Sequence, residues 1–303
     1  MNQDIKKRLD EELEKLGVSQ NRAAMDMGYT GAVLSSYRSG KYLGDVEKLE
    51  DAILSWIARN EKALSRKRVP VVETDALKIM TNAIDTAHTD RDIALIVGDA
   101  GAGKSKAAQY YEQHNPTTTI YLNIVSGTNR RTLINDIARH LSLDTVRVPQ
   151  QTLIHEISDT LAGRDMVVIL DEADYLKNDA LEFTRRLVYD LGQSGLVLIG
   201  LPRLKGIIQN LKNDHRQLES RIGIYLPMEG LTQKDAKKVA AAVWPNVDDE
   251  VISAIYKISQ TDIRQFTKII ERVQNTMAVN KLKEPTLEAV ETAAKRIIRR
   301  NFR

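Results

Sequence analysis

A glycine-rich run from Gly98 to Ser105 has the residue types that hold phosphate groups. Its letters, Gly-Asp-Ala-Gly-Ala-Gly-Lys-Ser, fit the P-loop pattern G-x-x-x-x-G-K-[ST] at every position. The glycines let backbone N–H groups turn inward, and the following helix presents its positive end to the phosphates. We expect a catalytic Lys104 that reaches the β- and γ-phosphates and a Ser105 that ligates Mg²⁺. The predicted ATP site comprises Gly98, Asp99, Ala100, Gly101, Ala102, Gly103, Lys104 and Ser105.

An acidic pair, Asp171 and Glu172, directly follows a second apolar run, residues 167–170, which predicts a buried strand. Alone, such a pair is usually a helix N-cap. It lies 66 residues after Ser105 in an alternating α/β pattern, which indicates a catalytic pair instead. Asp171 is predicted to hold Mg²⁺, and Glu172 to accept a proton from the attacking water. Asp174 completes the letters D-E-A-D, but a DEAD-box helicase needs a second RecA-like domain, and only helical patterns follow residue 230.

The stretches that must position these residues alternate between strand and helix patterns. The strand candidates are Ile93–Val97, Thr118–Val125, Met166–Leu170 and Leu196–Gly200. Helical patterns lie between them, at Arg131–Leu141, Gln151–Leu161 and Asp179–Leu191, which predicts a parallel sheet covered on both faces. From Thr232 onward the pattern is helical only, which predicts a separate small helical domain.

Two further arginines lie in segments that resemble parts of AAA+ ATPases. In these enzymes a neighbouring subunit inserts an arginine that stabilises charge on the γ-phosphate. Residues 218–222, Leu-Glu-Ser-Arg-Ile, resemble the segment that carries this finger, so Arg221 is the predicted catalytic finger and Arg216 the alternative. Residues 261–264, Thr-Asp-Ile-Arg, resemble the sensor-2 motif with Thr261 in place of its glycine, and they predict that Arg264 contacts the nucleotide.

The end of the strand candidate Leu196–Gly200 departs from the AAA+ pattern. A polar residue, sensor 1, should stand there and help to orient the attacking water. Leu201 and Pro202 stand there instead, and neither side chain can donate or accept a hydrogen bond. We therefore expect slow hydrolysis, which suits a timed switch better than a motor.

Residues 19–40 resemble the repressor-type helix-turn-helix, with a small Ala24 where the helices cross and Gly28 in the turn. The residues that such a recognition helix turns toward bases are here Thr30, Gly31, Ala32 and Ser35. None of these is an Arg, Asn or Gln able to make a bidentate base contact. The side chains that suit phosphates better are Tyr37, Arg38 and Lys41. We expect weak or non-specific DNA binding, with a helical protein-interaction domain as the alternative.

The bulk composition excludes several classes of protein. The 303 residues include no cysteine, so disulfides and thiolate zinc sites are excluded. The apolar runs fall well short of the roughly 20 residues that span a bilayer, and the charged N-terminus is no signal peptide. We expect a soluble, cytoplasmic protein that does not enter a membrane. The net charge is only +3, although residues 295–303 hold five basic side chains and no acidic one, which suits DNA or another acidic partner as well as a solvated end.

Taken together, the chain resembles the Mu-type B transposition proteins, target-selection ATPases of transposable phages within the AAA+ class. The resemblance rests on the helix-turn-helix ending in Gly40-Lys-Tyr-x-Gly44-Asp45, the P-loop, the Ile169-x-Asp-Glu-Ala-Asp174 segment and the helical patterns after it. It implies an α/β AAA+ P-loop NTPase with a parallel sheet, an N-terminal helix-turn-helix domain and a C-terminal helical lid. The expected boundaries are 1–62 for the helix-turn-helix domain, 63–74 for a linker, 75–230 for the nucleotide-binding domain and 231–303 for the lid.

The resemblance also implies a role. With ATP and Mg²⁺ bound, subunits would polymerise into a helical filament on duplex DNA with little sequence preference. The filament would deliver target DNA to a transposase and stimulate strand transfer. The transposase would trigger hydrolysis, which clears nearby DNA and gives target immunity. Arg130 and Arg131 lie at the start of the helix after the second strand, where related ATPases touch DNA.

Two other functions remain open at this point. One is an AAA+ enzyme of another kind, such as a helicase loader or a secretion-associated ATPase. These enzymes usually lack a repressor-like N-terminal domain. The other is a transcriptional repressor in which ATP only controls oligomerisation, and which would protect a single operator.

Overall fold

The computed structural model describes residues 2–64, 68–209 and 216–295, without the side chains of residues 62–64 and 216–217. Beyond residue 295, the basic C-terminal run lies outside the described residues. The chain divides into two compact units, residues 1–68 and 69–303, and each is described by itself. The domain boundaries predicted at residues 62, 74 and 230 remain proposals.

The N-terminal unit is a bundle of helices α1 (Gln3–Leu16), α2 (Gln20–Asp26), α3 (Gly31–Arg38) and α4 (Val46–Leu64). Ser19 and Thr30 cap α2 and α3 through their hydroxyl groups, and serine and threonine are residue types that favour this position. Gly17 ends α1 in the left-handed region at φ 61°, where glycine pays no steric cost. The helices enclose a core that includes Leu9, Leu34, Leu49, Ile53 and Trp56.

In the second unit, strands β1 (Ile93–Gly98), β2 (Thr119–Asn123), β3 (Val167–Asp171), β4 (Gly195–Gly200) and β5 (Ile222–Met228) form a five-stranded sheet. All the pairs are parallel, in the order β2-β3-β4-β1-β5. The carboxyl ends of all five strands therefore meet at one edge of the sheet, which is where ligands bind in open α/β sheets. Because β4 lies between β1 and β3, the P-loop and the acidic pair flank the end of β4.

Helices cover both faces of this sheet. They are α5 (Asp75–Thr89), α6 (Lys104–His114), α7 (Arg130–His140), α8 (Gln150–Ala162), α9 (Asn178–Thr184), α10 (Arg203–Gln209) and α11 (Arg216–Glu219). α5 and α6 pack on one face and α7, α8 and α9 on the other, each with its own apolar cluster. The two-sided burial explains why β1, β3 and β4 are continuous apolar runs.

The chain after β5 is helical, as predicted. It forms α12 (Gln233–Ala241), α13 (Asp249–Ser259), α14 (Ile263–Asn280) and α15 (Leu287–Lys295) around a core with Phe266, Ile269 and Ile270 at its centre. Val69 and Val72, which precede α5, pack against this same core. In the described residues no helix is long and apolar enough to cross a membrane.

A reciprocal contact joins α5 to α12, and we call it the α5–α12 clasp. The Asp235 carboxylate, 1% exposed, accepts the backbone N–H groups of Asp75 at 2.8 Å and Ala76 at 3.2 Å. In return, the Asp75 carboxylate pairs with Lys234 at 2.7 Å and with Lys238. The hydrogen bond from Lys234, and to a smaller extent the one from Lys238, lowers the pKa of Asp75 to about 2. The clasp satisfies amide groups that the first turn of α5 leaves without a helical partner.

Three features of the second unit are not predicted by the sequence patterns. β5 alternates between partly buried and exposed residues and contains Gly223 and Pro227, so it lacks an apolar run. α10 and α11 are short. The predicted helix from Asp179 to Leu191 is α9 followed by a π-helical turn, Arg185–Leu191.

Candidate nucleotide-binding site

The P-loop joins the buried strand β1 to α6. Gly101 and Gly103 adopt φ values of 88° and 89°, a region that costs other residues steric strain. Lys104 begins α6, and its ammonium group donates to the carbonyls of Gly98 at 2.7 Å and Asp99 at 2.9 Å. The positive charge is thus held inside the loop, beside the N-terminus of α6.

Lys104 is 9% exposed, and its burial is the main reason why its pKa is lowered. The charge of Asp171 acts in the opposite direction, while the charge of Arg264 lowers the pKa further. The structure therefore brings these three predicted site residues within electrostatic reach of one another. An additional negative charge in this loop, such as a phosphate group, would offset the burial of the ammonium group.

Asp171 ends β3 and is 2% exposed. One carboxylate oxygen accepts the Tyr121 hydroxyl from neighbouring β2 at 2.8 Å, and the other accepts the backbone N–H of Glu172 at 3.0 Å. Burial and the hydrogen bond to Asp171 raise the pKa of the Tyr121 phenol, so Tyr121 stays protonated and acts as the donor. Tyr121 orients the predicted magnesium ligand, a role that no motif in the sequence marks.

Glu172 is exposed and has φ 58°, a left-handed conformation that costs a non-glycine residue about 1 kcal/mol or more. This turn directs the chain away from β3 into the short 3₁₀ helix Ala173–Tyr175. Backbone strain of this kind concentrates at functional sites. The geometry is consistent with the predicted role of Glu172 as general base.

The end of β4 is surrounded by polar groups that no sequence pattern places there. The buried Asp174 carboxylate accepts the backbone N–H of Leu201 at 3.2 Å and the guanidinium of Arg203 at 2.7 Å and 2.6 Å. The hydrogen bond to Asp174 raises the pKa of Arg203. The fourth letter of D-E-A-D thus ties the end of β3 to the end of β4, where Leu201 stands at the position predicted for the polar sensor residue.

The N-terminus of α14 packs against the P-loop. The backbone N–H of Ile263 donates to the Gly101 carbonyl at 3.0 Å. Asp262 caps α14 by accepting the N–H groups of Arg264 at 2.7 Å and Gln265 at 3.1 Å. Arg264 is exposed in the first turn of this helix, close to Lys104. The structure therefore brings the predicted sensor-2 arginine to the P-loop.

Arg221 lies between α11 and β5, with its side chain 38% exposed, and its Nε lies 3.3 Å from Asp190. The side chain of Arg216, the alternative finger, lies outside the described residues. A finger acts on the nucleotide of a neighbouring subunit, so an exposed position suits Arg221.

Hard oxygen donors at the P-loop suit Mg²⁺. Ser105 offers a hydroxyl group and Asp171 a buried carboxylate. Across the described residues of the chain, no three His, Cys, Asp or Glu side chains gather as a metal cage. Nucleotide sites hold Mg²⁺ through one or two carboxylates together with the phosphates, so these two residues fit an ion that arrives with ATP. When bound, the ion neutralises phosphate charge.

Arg130 and Arg131, the predicted DNA contacts of the second unit, begin α7 and are both exposed. The Arg130 guanidinium lies 3.9 Å from the ring centre of Phe183 and makes a cation–π contact with it. Arg131 has no such ring contact in the described residues. Both side chains remain at the surface beside the end of β2.

In the N-terminal unit, the predicted DNA contacts Thr30, Ser35 and Lys41 are exposed. Arg38 instead bonds to other helices of the bundle: its guanidinium pairs with Asp10 of α1 at 2.7 Å and donates to Gln20 of α2 at 2.5 Å. The expectation that Tyr37 faces phosphates is wrong. Its side chain is fully buried, and its hydroxyl donates to Glu50 at 2.9 Å.

Comparison with known proteins identifies the nucleotide-binding domain. A family model described as an AAA domain matches residues 87–208. The ORC2 protein of Aeropyrum pernix, solved with ADPNP and ADP, superposes with a TM-score of 0.60 at 14% identity, over 77% of this chain and 70% of that one. The fold is that of an AAA+ ATPase. The predicted fold class is confirmed for the sheet, the P-loop and the helical domain, and the chain is a nucleotide-binding ATPase of this type.

Sequence relatives extend over most of this AAA+ chain. The ATP-dependent target DNA activator B of Escherichia phage Mu is 25% identical over 263 residues, which cover 85% of this chain and 83% of the relative. The Mu-like prophage FluMu DNA transposition protein B of Haemophilus influenzae is 24% identical over 260 residues, covering 84% and 90%. The resemblance to Mu-type B transposition proteins is confirmed.

Proposed function

We propose that this protein is an ATP-dependent DNA-binding protein that assembles on target DNA, delivers it to a transposase and stimulates strand transfer. ATP hydrolysis drives its disassembly and provides target immunity. The observation that carries the proposal is the similarity to ATP-dependent target DNA activators over more than four fifths of this chain. The P-loop site, with Lys104 held at its centre, supports the dependence on ATP.

The residues around the P-loop have separate roles in this activity. Lys104 and Arg264 bind the phosphates, Ser105 and Asp171 hold Mg²⁺, and Glu172 accepts the proton of the attacking water. Arg221 of a neighbouring subunit stabilises the charge on the γ-phosphate. Because the γ-phosphate is then bound by residues of two subunits, ATP favours assembly of the subunits, and hydrolysis of ATP favours their separation.

DNA binding in this proposal rests on phosphate contacts with little sequence preference. Arg130, which lies over Phe183, and the neighbouring Arg131 place a pair of exposed positive charges at the start of one helix of the ATPase domain. In the N-terminal unit, exposed hydroxyl groups on α3 and the Lys41 side chain can contact the DNA phosphates. None of the predicted base-facing residues has a side chain that can read base edges by a bidentate contact.

Electron microscopy with random-sequence duplex DNA tests the assembly. Wild-type protein with ATP is expected to cover DNA in proportion to its length, whereas Lys104→Ala abolishes assembly. Glu172→Gln retains ATP and is expected to leave assemblies that persist on DNA. A protein that stays monomeric with ATP and DNA present, or that protects a single operator, would contradict the proposal.

Salt dependence tests the DNA contact in the same preparation. Each phosphate contact adds about one to the slope of log affinity against log salt, so Arg131→Ala is expected to lower the slope by about 1. Arg139→Ala is the matched control, because Arg139 lies near the other end of α7 and pairs with Asp136 at 2.7 Å. Equal slopes for the wild type and Arg131→Ala would exclude Arg131 from the DNA surface.

A further inference from the structure

A buried arginine, Arg185, lies at the centre of a charged network behind Arg221. Arg185 is 4% exposed, and a guanidinium buried to this extent needs carboxylate partners. Its Nε donates to Glu182 at 2.8 Å, and its Nη1 pairs with Asp190. Both carboxylates are in turn bonded to the segment that carries Arg221.

The two carboxylates hold different regions of that segment. The second oxygen of Glu182 accepts the backbone N–H of Leu218 at 3.1 Å, and Leu218 itself is fully buried in the apolar core. The second oxygen of Asp190 faces Nε of Arg221 at 3.3 Å. Glu182 thus fixes the main chain three residues before Arg221, and Asp190 holds its guanidinium.

The π-helical turn Arg185–Leu191 makes this arrangement possible. In an α-helix of 3.6 residues per turn, residues five positions apart point to different sides. A π-helix repeats its hydrogen bond every five residues, so Arg185 and Asp190 lie one above the other. Asp190 can then bond the buried Arg185 with one oxygen and still present the other at the surface, where its side chain is 29% exposed.

We propose that Asp190 is a positioning residue for Arg221, which it holds ready to enter the nucleotide site of a neighbouring subunit. This inference rests on the proposed function, in which Arg221 acts between subunits. Fixing a long side chain in advance removes some of the entropy that its ordering would cost at the moment of reaction. Arg185 and the π-helical turn support Asp190 from behind.

Mixed assemblies test the proposal. Asp190→Asn subunits keep Lys104, Asp171 and Glu172, while Glu172→Gln subunits keep Arg221 and Asp190. Alone, Asp190→Asn is expected to lower kcat for ATP about 10- to 100-fold with little change in KM, because the lost interaction acts in the transition state. Adding Glu172→Gln subunits should restore hydrolysis, most strongly when they are in excess, because they supply a correctly held arginine.

Further variants distinguish the finger role of Arg221 from the positioning role of Asp190. Arg221→Ala should lose more activity than Asp190→Asn and should also be restored by Glu172→Gln. A mixture of Asp190→Asn with Arg221→Ala should show no such restoration. Asp159→Ala, which removes an exposed carboxylate of α8, should match the wild type. Asp190→Ser, which is smaller than asparagine and also lacks the carboxylate, serves in place of Asp190→Asn if that variant does not fold.

Each outcome has a distinct meaning. Suppose that Arg221→Ala loses ATP hydrolysis and regains it with Glu172→Gln subunits, while Asp190→Asn hydrolyses ATP like the wild type. The positioning role of Asp190 is then wrong, and the role of Arg221 as a finger is retained. A defective Asp190→Asn that Glu172→Gln cannot restore also overturns the positioning role. If Arg221→Ala keeps wild-type activity, the finger in the proposed function is wrong and the inference falls with it.

Discussion

Gly101 of the P-loop and Asp262 of the helical domain are in direct contact. A Cβ atom built on Gly101 would overlap the Asp262 carboxylate, and the next residue, Ile263, donates its backbone N–H to the Gly101 carbonyl at 3.0 Å. The phosphate-binding loop and the start of α14 therefore share one closely packed surface. Only glycine fits at this position, for its conformation and for its size.

Replacing Gly101 by alanine is expected to weaken ATP binding by at least about tenfold, because the new methyl group pushes α14 and Arg264 away from the loop. Gly127→Ala is the matched control. Gly127 also has a positive φ of 93°, but a Cβ there meets no atom within 4 Å. It should cost about 1 kcal/mol of stability and leave nucleotide affinity unchanged. Titration with a fluorescent ATP analogue measures the affinity of each variant, and equal affinities for the two would contradict the steric argument.

Tyr121→Phe is expected to raise the Mg²⁺ concentration needed for tight nucleotide binding by about tenfold. The variant removes the hydroxyl that donates to Asp171 at 2.8 Å, which leaves that buried carboxylate less well oriented. Nucleotide binding measured over a range of Mg²⁺ concentrations tests this without depending on turnover. Tyr110→Phe, which removes an exposed hydroxyl bonded to Glu73 at 3.3 Å, should behave like the wild type.

The α5–α12 clasp predicts a dependence of stability on pH. Lys234 and Lys238 lower the pKa of Asp75 to about 2, below the value of about 3.9 expected in the unfolded chain. A lowered folded-state pKa stabilises the fold above the unfolded value, and this contribution is lost as pH falls through the folded value. The difference in unfolding free energy between the wild type and Asp75→Asn should thus be constant near neutral pH and shrink between about pH 4 and pH 2.

Urea denaturation at a series of pH values measures this difference. Asp159→Asn controls for the loss of an exposed carboxylate outside the clasp. A difference between wild type and Asp75→Asn that stays constant down to pH 2 would show that the ion pairs do not stabilise the folded state.

The sequence could predict those regions of the site whose residues are neighbours in the chain. The P-loop from Gly98 to Ser105 and the pair Asp171 and Glu172 are each short patterns, with the glycines, the lysine and the carboxylates at fixed spacing. Helices are also predicted well where apolar residues recur with the helical period, and capping residues such as Ser19 and Thr30 mark the starts of even the short helices α2 and α3.

The remaining features depend on contacts between distant segments. Tyr121 meets Asp171 only because β2 pairs with β3 in the register that places Tyr121 opposite Ile169. Arg203 meets Asp174 across the ends of two strands, and Arg185 meets Asp190 only because a π-helical turn joins them. β5 escapes prediction because an edge strand is covered only incompletely and carries no continuous apolar run. Tyr37 looks like a surface residue in the sequence because its burial depends on the packing of the whole bundle.

The α5–α12 clasp has a mechanical consequence. It joins two helices whose contacting residues, Asp75 and Asp235, are 160 positions apart in the chain. Pulling α12 outward would strip two amide groups at the start of α5 of their acceptor, a cost of a few kcal/mol at a buried carboxylate. A force that displaces α12 therefore acts directly on α5, the first helix of the sheet domain.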